Sequence, residues 1–213
     1  MDLEIWGIGT PRAMRAHWVA LELGLDYECH AFGPRTGEMR TAEFTRLNPK
    51  QKIPVLRDGD LVLSESAAIV QYLTETYPTP PDFFVPANAT QRAKLNEWCY
   101  FVMTELDAHA LYLIRRHDGL KEIYGAAPEA VASAREYFIK YLDAMAPRIA
   151  GPYVMGDKFS IADVLLMTCL DWALAYDIAL PTAVLAYRDH VVQRPAYGRA
   201  LRVTYPDRFP ERT

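Results

Sequence analysis

Residues 48–73 read NPKQKIPVLRDGDLVLSESAAIVQYL, and this stretch decides the architecture of the first third of the chain. Lys52 to Arg57 and Asp60 to Leu63 are short apolar runs flanking Asp58-Gly59, and an Asp-Gly turn between such runs is a strong hairpin signal. Ser66 to Thr76 then carries Ile69, Tyr72 and Leu73 on one helical face. Pro54 sits inside the first run, where a proline removes a ladder donor and is tolerated at an edge, a strand start or a bulge. Two readings stay open for it. Either the strand lies at an edge, or Ile53–Pro54 is a cis bond that presents the Ile53 N–H and C=O to a peptide-like ligand, since X-Pro bonds alone adopt cis geometry cheaply.

Upstream, Leu3 to Trp6 is a short apolar run broken by Gly7 and Gly9. Pro11 to Leu23 predicts a helix, with Met14, Trp18, Leu21 and Leu25 recurring at helical spacing and Gly24 ending it. Tyr27 to Phe32 reads as a second strand, and a short helix is expected around Glu43 to Leu47. The order is β-α-β, then a hairpin, then a helix. It gives a parallel pair and an antiparallel pair in one layer of sheet with helices packed on it.

Residues 77–87, YPTPPDFFVPA, hold four prolines and cannot continue a helix or a central strand. Downstream no strand signal appears. Arg92 to Arg116 predicts a long helix with Leu95, Trp98, Cys99, Val102, Leu106, Ala110 and Leu113 on one stripe. A second helix uses Val131, Ala134, Phe138, Leu142 and Met145, and Ile161 to Tyr176 is apolar nearly all round, so it should be buried. Shorter helices are expected near 183–192 and 195–201. The chain therefore divides into an α/β domain (1–77), a linker (78–87) and an all-helical domain (88–213).

Composition narrows the function classes. Of 213 residues, 51% are hydrophobic, and the net charge of −4 offers no broad basic face of the kind that nucleic acids require. Arg115, Arg116 and His117 form the only compact basic cluster, which reads first as a solvated helix end. Three cysteines, Cys29, Cys99 and Cys169, are widely spaced without a C-x-x-C pair, so neither a disulfide framework nor a zinc site is expected, and no metal is assigned. Reduced thiols, an N-terminus Met1-Asp2-Leu3-Glu4 without signal-peptide pattern, and no apolar run near the ~20 residues of a membrane span predict a cytoplasmic protein with no membrane segment.

Two further patterns carry chemistry. Gly7-Ile8-Gly9-Thr10-Pro11 lies at a strand-to-helix turn. Thr is a good N-cap and Pro favours the first helical position, so capping accounts for the pattern. The same geometry also offers free N–H groups, a positive dipole end and a hydroxyl that can donate to a thiolate. Ser64-Glu65-Ser66 opens the helix of 66–76. Ser at a helix start is usually a cap. A carboxylate beside it can hold an ammonium while the Ser66 hydroxyl and helix N–H groups hold a carboxylate, a pairing suited to the amino-acid end of a ligand.

In this order the patterns resemble the glutathione transferase family across essentially the whole chain. TPRAMRAHWVALELGLDYE (10–28) looks like the family's first helix, 48–73 like its glutathione-site core, and FSIADVLL (159–166) like its buried N-capped helix. The resemblance implies a thioredoxin-like domain followed by an all-helical domain, usually as a homodimer, with glutathione as co-substrate. It implies that Ile53 precedes the cis proline Pro54 and pairs with the cysteinyl part of glutathione. Glu65 and Ser66 would hold the γ-glutamyl end, and Lys52 and Gln51 would lie near the glycyl carboxylate. Gln51 departs from the glycine common there. Ser160 and Asp163 match a capping box, assigned to folding.

The position that activates the thiol departs further. Where some classes carry tyrosine at the end of the first strand this chain has Trp6. The serine or cysteine of other classes falls on Thr10, or on Gly9 with a shift of one. Thr10 is the catalytic candidate. A free thiol titrates near ~8.5, and lowering it by about two units takes about 2.7 kcal/mol. A hydrogen bond to a charged acceptor contributes roughly 1.5–3 kcal/mol and a helix terminus roughly 0.3–2 kcal/mol, so hydroxyl plus helix end suffice. Tyr100, Met103, Tyr112 and Arg116 are candidates by position for the electrophilic second substrate, and each also reads as packing or surface. Glutathione-dependent reduction, peroxidase or ether-cleaving chemistry, and a non-catalytic glutathione-binding module, are the competing readings.

Overall fold

A computed structural model of the chain describes residues 3–210. Four strands form one mixed sheet, β1 (Leu3–Trp6), β2 (Glu28–His30), β3 (Val55–Asp58) and β4 (Leu61–Ser64), in the order β2-β1-β3-β4. β1 runs parallel to β2 and antiparallel to β3, which pairs antiparallel with β4. β1 is buried along its whole length, as a central strand covered on both faces must be. The hairpin closes at Asp58↔Leu61, and the positive φ it requires falls on Gly59. Asp58 then ties the hairpin to the next helix by accepting from Tyr72 (2.9 Å) and Tyr77 (2.6 Å) hydroxyls.

Helices α1 (Pro11–Glu22), α2 (Ala42–Leu47) and α3 (Ser66–Thr76) belong to the sheet. The thioredoxin-like fold expected from the sequence is thus present. β3 is a central strand, so the edge reading of Pro54 is corrected: the ladder begins at Val55, and Pro54 costs it no donor because it lies just outside.

The second part is helical. α4 (Ala89–Phe101) continues through a wider-wound segment (Val102–Leu111) in which Tyr112 N–H reaches Asp107 O five residues back, then through α5 (Tyr112–Ile114) to Gly119. In this wider winding each residue turns the chain through a smaller angle. The buried stripe therefore slips from the expected Leu113, half-buried, to Leu111 and Ile114, both fully buried. α6 (Lys121–Tyr124), α7 (Pro128–Met145), α8 (Ile161–Leu174) and α9 (Thr182–Val191) follow. α8 is buried on nearly every face, as its composition predicts.

α10 (Pro195–Thr204) departs from the sequence division. The chain forms two compact units, one running to Pro81 and resuming at Val192, the other spanning Asp82–Val191. α10 belongs to the first, where it packs on α1. Arg194 makes a two-pronged ion pair with Glu22 (Nε–Oε1 2.8 Å, Nη2–Oε2 2.9 Å), and Tyr197 meets Trp18 edge-on at 5.1 Å. The proline-rich stretch divides rather than serving whole as a linker. Phe83 is buried, packs edge-on to Phe159 and is flanked by Phe84 N–H→Phe159 O (2.6 Å) and Phe159 N–H→Asp82 O (3.0 Å), which fasten its second half to the helical unit.

Two buried polar side chains give these units testable stability. Asp163 opens α8 and accepts four hydrogen bonds, from Val154 N–H, Ser160 N–H, Ser160 Oγ and Tyr187 OH at 2.6–2.8 Å. Burial pushes its carboxyl up while these donors pull it back. Asp163→Ala strands all four donors and should destabilise the chain by roughly 3–5 kcal/mol, read as a lowered unfolding midpoint. His17 in α1 donates from Nε2 to Gly7 O (3.0 Å) and accepts at Nδ1 from Tyr27 OH (2.9 Å). Burial lowers its pKa from 6.5 to about 4, against the pull of the Gly7 carbonyl. Its neutral form is favoured by folding, so the unfolded chain binds the extra proton. The stability is fully present above 6.5 and is lost as pH falls from 6.5 to about 4. The loss should reach about 3 kcal/mol, and urea melts of His17→Gln across this window should lack that component.

Candidate functional site

The site is built where β1 ends, β3 begins and α3 starts. β1 leaves the sheet through Gly7, whose φ of +102° and position both require glycine. A Cβ there would lie 2.4 Å from Ile53 Cβ. The first motif and the second are thus pressed together, and Ile53–Pro54 is cis. Ile53 stands two residues before the ladder starts, outside strand pairing.

Three successive N–H groups of the loop after β1 are engaged by the protein itself. Gly7 N–H donates to His30 O (3.0 Å), Ile8 N–H to Phe32 O (2.9 Å) and Gly9 N–H to Thr204 O (2.8 Å). Thr10, 8% exposed, is the N-cap of α1: its Oγ1 accepts from Ala13 N–H at 3.0 Å, and Pro11 follows at the first helical position. A hydroxyl that accepts one bond still holds a hydrogen to donate.

Glu65 and Ser66 open α3. Glu65 has φ +77°, a conformation non-glycine residues rarely hold, and its side chain, 69% exposed, pairs with Lys50 Nζ at 2.5 Å. Ser66 is 3% exposed, and its Oγ accepts from Arg15 Nη1 at 3.1 Å. Arg15 is fully buried in α1, so a guanidinium donates to the Ser66 hydroxyl and leaves the hydroxyl's own hydrogen for another acceptor.

The sequence singled out neither Arg15 nor Lys50. The signal for Arg15 was a cation inside the buried run of α1, and the signal for Lys50 was a second lysine two residues before Lys52. Gln51, also at positive φ, turns its amide to Thr45 Oγ1 (3.1 Å), while the Lys52 side chain is exposed and its carbonyl accepts from Asn48 Nδ2 (2.8 Å).

The proposed second-substrate residues all lie in the helical unit. Tyr100 is 64% exposed, Met103 and Tyr112 are half-buried, and the Arg116 guanidinium lies 4.3 Å from the Tyr124 ring centroid. Among the described residues, Glu4, Glu28 and His30 come close enough to share a cation. Glu4 there already accepts from Arg57 and from His30 Nε2 (2.8 Å). No helix among the described residues is long and apolar enough to cross a membrane.

Known proteins resemble this chain in sequence and fold. The model of the glutathione S-transferase N-terminal domain matches residues 1–75, and that of the C-terminal domain matches residues 101–195. A protein described as a probable maleylacetoacetate isomerase from Vibrio cholerae serotype O1 is 31% identical over 97% of this chain and 99% of its own length. Glutathione S-transferase 3 of Zea mays is 31% identical over 93% of each chain. The crystal structure of a theta class glutathione S-transferase from Xanthomonas axonopodis pv. citri, with glutathione bound, superposes with a TM-score of 0.77 at 26% identity, covering 93% of this chain and 96% of that one. With both family domains matched in order on a thioredoxin-like sheet and a helical unit, the chain belongs to the glutathione S-transferase family.

Proposed function

We propose that the chain binds glutathione, stabilises its thiolate and directs it at an electrophilic carbon. One observation carries the reading: the N–H groups of Gly7, Ile8 and Gly9 are each committed to a carbonyl, and Pro11 has none. The Thr10 hydroxyl, at the positive end of α1, is the donor for the sulfur, with the Thr10 N–H as the backbone alternative, since the Gly9 N–H is taken by the Thr204 carbonyl. The Ile53 backbone beside cis Pro54 pairs with the cysteinyl amide. Ser66 donates to the γ-glutamyl carboxylate over Arg15, while Glu65 shares its carboxylate between Lys50 and the ligand's ammonium. An exposed ion pair such as Lys50–Glu65 is weak, so the incoming ammonium displaces little. Gln51 and Lys52 edge the glycyl end.

In the reaction the thiol proton leaves to solvent. The sulfur lone pair forms a C–S bond, and the leaving group departs with its electrons. Tyr100, Met103, Tyr112 and Arg116 stand as candidate contacts for the electrophile. The protein works in the cytoplasm as a homodimer, in keeping with the family. A second reading, addition of the same thiolate to a conjugated double bond followed by its expulsion after rotation, is favoured by the 31% identity to the Vibrio cholerae protein. Turnover of a cis-enone of the maleyl type beside a generic electrophile separates the two.

Ser66→Ala and Glu65→Ala should each weaken glutathione binding by roughly ten- to a hundred-fold in calorimetry, because each removes a partner of a charged group worth ~1.5–3 kcal/mol. Unchanged affinity in both variants would sink the assignment. Thr10→Val removes the donor and keeps the branched shape. The bound thiol pKa should rise by about one to two units, with turnover at neutral pH falling and partly returning at higher pH, while Thr10→Ser stays active. The lost cap costs ~1 kcal/mol of stability, so melting is checked first. A folded Thr10→Val with the parent's pH–rate profile would reduce Thr10 to a cap.

A further inference from the structure

The last turn of α10 meets the loop that carries Thr10. Thr204 is the final residue of α10, and the closing carbonyls of a helix have no partner within it. The Thr204 carbonyl finds one in Gly9 N–H at 2.8 Å. At the other end, Arg199 Nη2 donates to Leu21 O at 2.9 Å, one of the closing carbonyls of α1, and Arg194 grips Glu22. The pair is protected, with Arg194 13% and Glu22 6% exposed, and Trp18 Nε1 adds a third bond to Glu22 at 2.9 Å. α10 therefore runs antiparallel to α1, fixed at both ends, with Tyr197 meeting Trp18 edge-on between them. Gly9 has φ +75° and no side chain, and its N–H is held by the Thr204 carbonyl.

We infer that α10 is a positioning element for thiol activation: by holding Gly9, it sets the orientation of Thr10 against the ligand's sulfur. The inference rests on the glutathione reading given above. It assigns a role to residues far along the chain from the loop, held there by a pair, Glu22 and Arg194, that is itself separated by 172 positions. The ligand's γ-glutamyl partners Glu65 and Ser66 lie on α3 and do not touch α10 in any hydrogen bond described. Loosening α10 should therefore alter the sulfur's environment more than affinity.

The test uses the full chain with Glu22→Gln and Arg194→Gln combined, which removes both charges and strands neither. Folding is checked by melting, the thiol by the ultraviolet absorbance of bound thiolate against pH, and turnover by separate kcat and KM. The bound thiol pKa should rise by about half to one unit, a roughly three- to ten-fold loss of thiolate at fixed pH. kcat should fall in step at neutral pH and recover at higher pH, with KM for glutathione changed less than kcat. A lower melting temperature with the parent's thiol pKa and pH–rate profile would make α10 a structural brace only and overturn the inference. If the double variant does not fold, amide exchange on the parent chain decides. The Gly9 amide should open together with the amides of α10, and a Gly9 amide exchanging like unprotected loop overturns the inference equally. A parent whose bound thiol titrates like the free one counts instead against the glutathione reading, and this is seen before any variant is compared.

Discussion

The approach of Gly7 to Ile53 is the constraint on which the site depends. With the place of a Gly7 Cβ only 2.4 Å from Ile53 Cβ, the exit of β1 and the entry to β3 cannot separate without opening a gap or close without a clash. That contact puts the turn leading toward α1 beside the cis Ile53–Pro54 bond. Trp6, Val55, Met39 and Phe44, with Ile53, Phe32 and Leu47 packed on them, form the apolar cluster behind it. From there the polar parts follow in sequence: Thr10 capping α1, Arg15 one turn further in, and Ser66 above Arg15. The candidate site's backbone and hydroxyl groups thus stand on a layer whose packing leaves little room for rearrangement.

The helical unit rests on a different device. α8 is apolar on nearly all faces, and a helix so placed has its first N–H groups in a dry interior. Asp163 answers this with one carboxylate serving the Ser160 N–H and hydroxyl, the Val154 N–H and, from α9, the Tyr187 hydroxyl. One side chain thereby joins a helix start, the preceding loop and a neighbouring helix.

Local chemistry was legible wherever periodicity or punctuation spoke. Asp58-Gly59 between apolar runs gave the hairpin, Thr10-Pro11 gave the start of α1 to the residue, and Ser160 with Asp163 gave the start of α8. What depends on distant partners was not legible. Nothing in 195–204 distinguishes a helix that closes the second unit from one that returns to the first, because the deciding contacts, Arg194–Glu22 and Tyr197–Trp18, are pairings across most of the chain. Arg15 was hidden for the same reason: its acceptor, Ser66, lies 51 residues away. The slip from Leu113 to Ile114 arose because the stripe was read at an α-helical period where the backbone is wound wider.

The return of α10 has a consequence for how the molecule is made. The first unit is discontinuous, with the whole of the second unit spliced into it along the chain. On the ribosome, Glu22 emerges 172 residues before Arg194, which at ~5–20 residues per second is a wait of about ten to thirty seconds. During it Trp18 lacks its Tyr197 neighbour and Gly9 its carbonyl, and residues 82–191 are completed before it ends. The part synthesised first is thus finished last, and a nascent chain stopped before α10 exposes the flank of α1 to whatever apolar surface lies nearby.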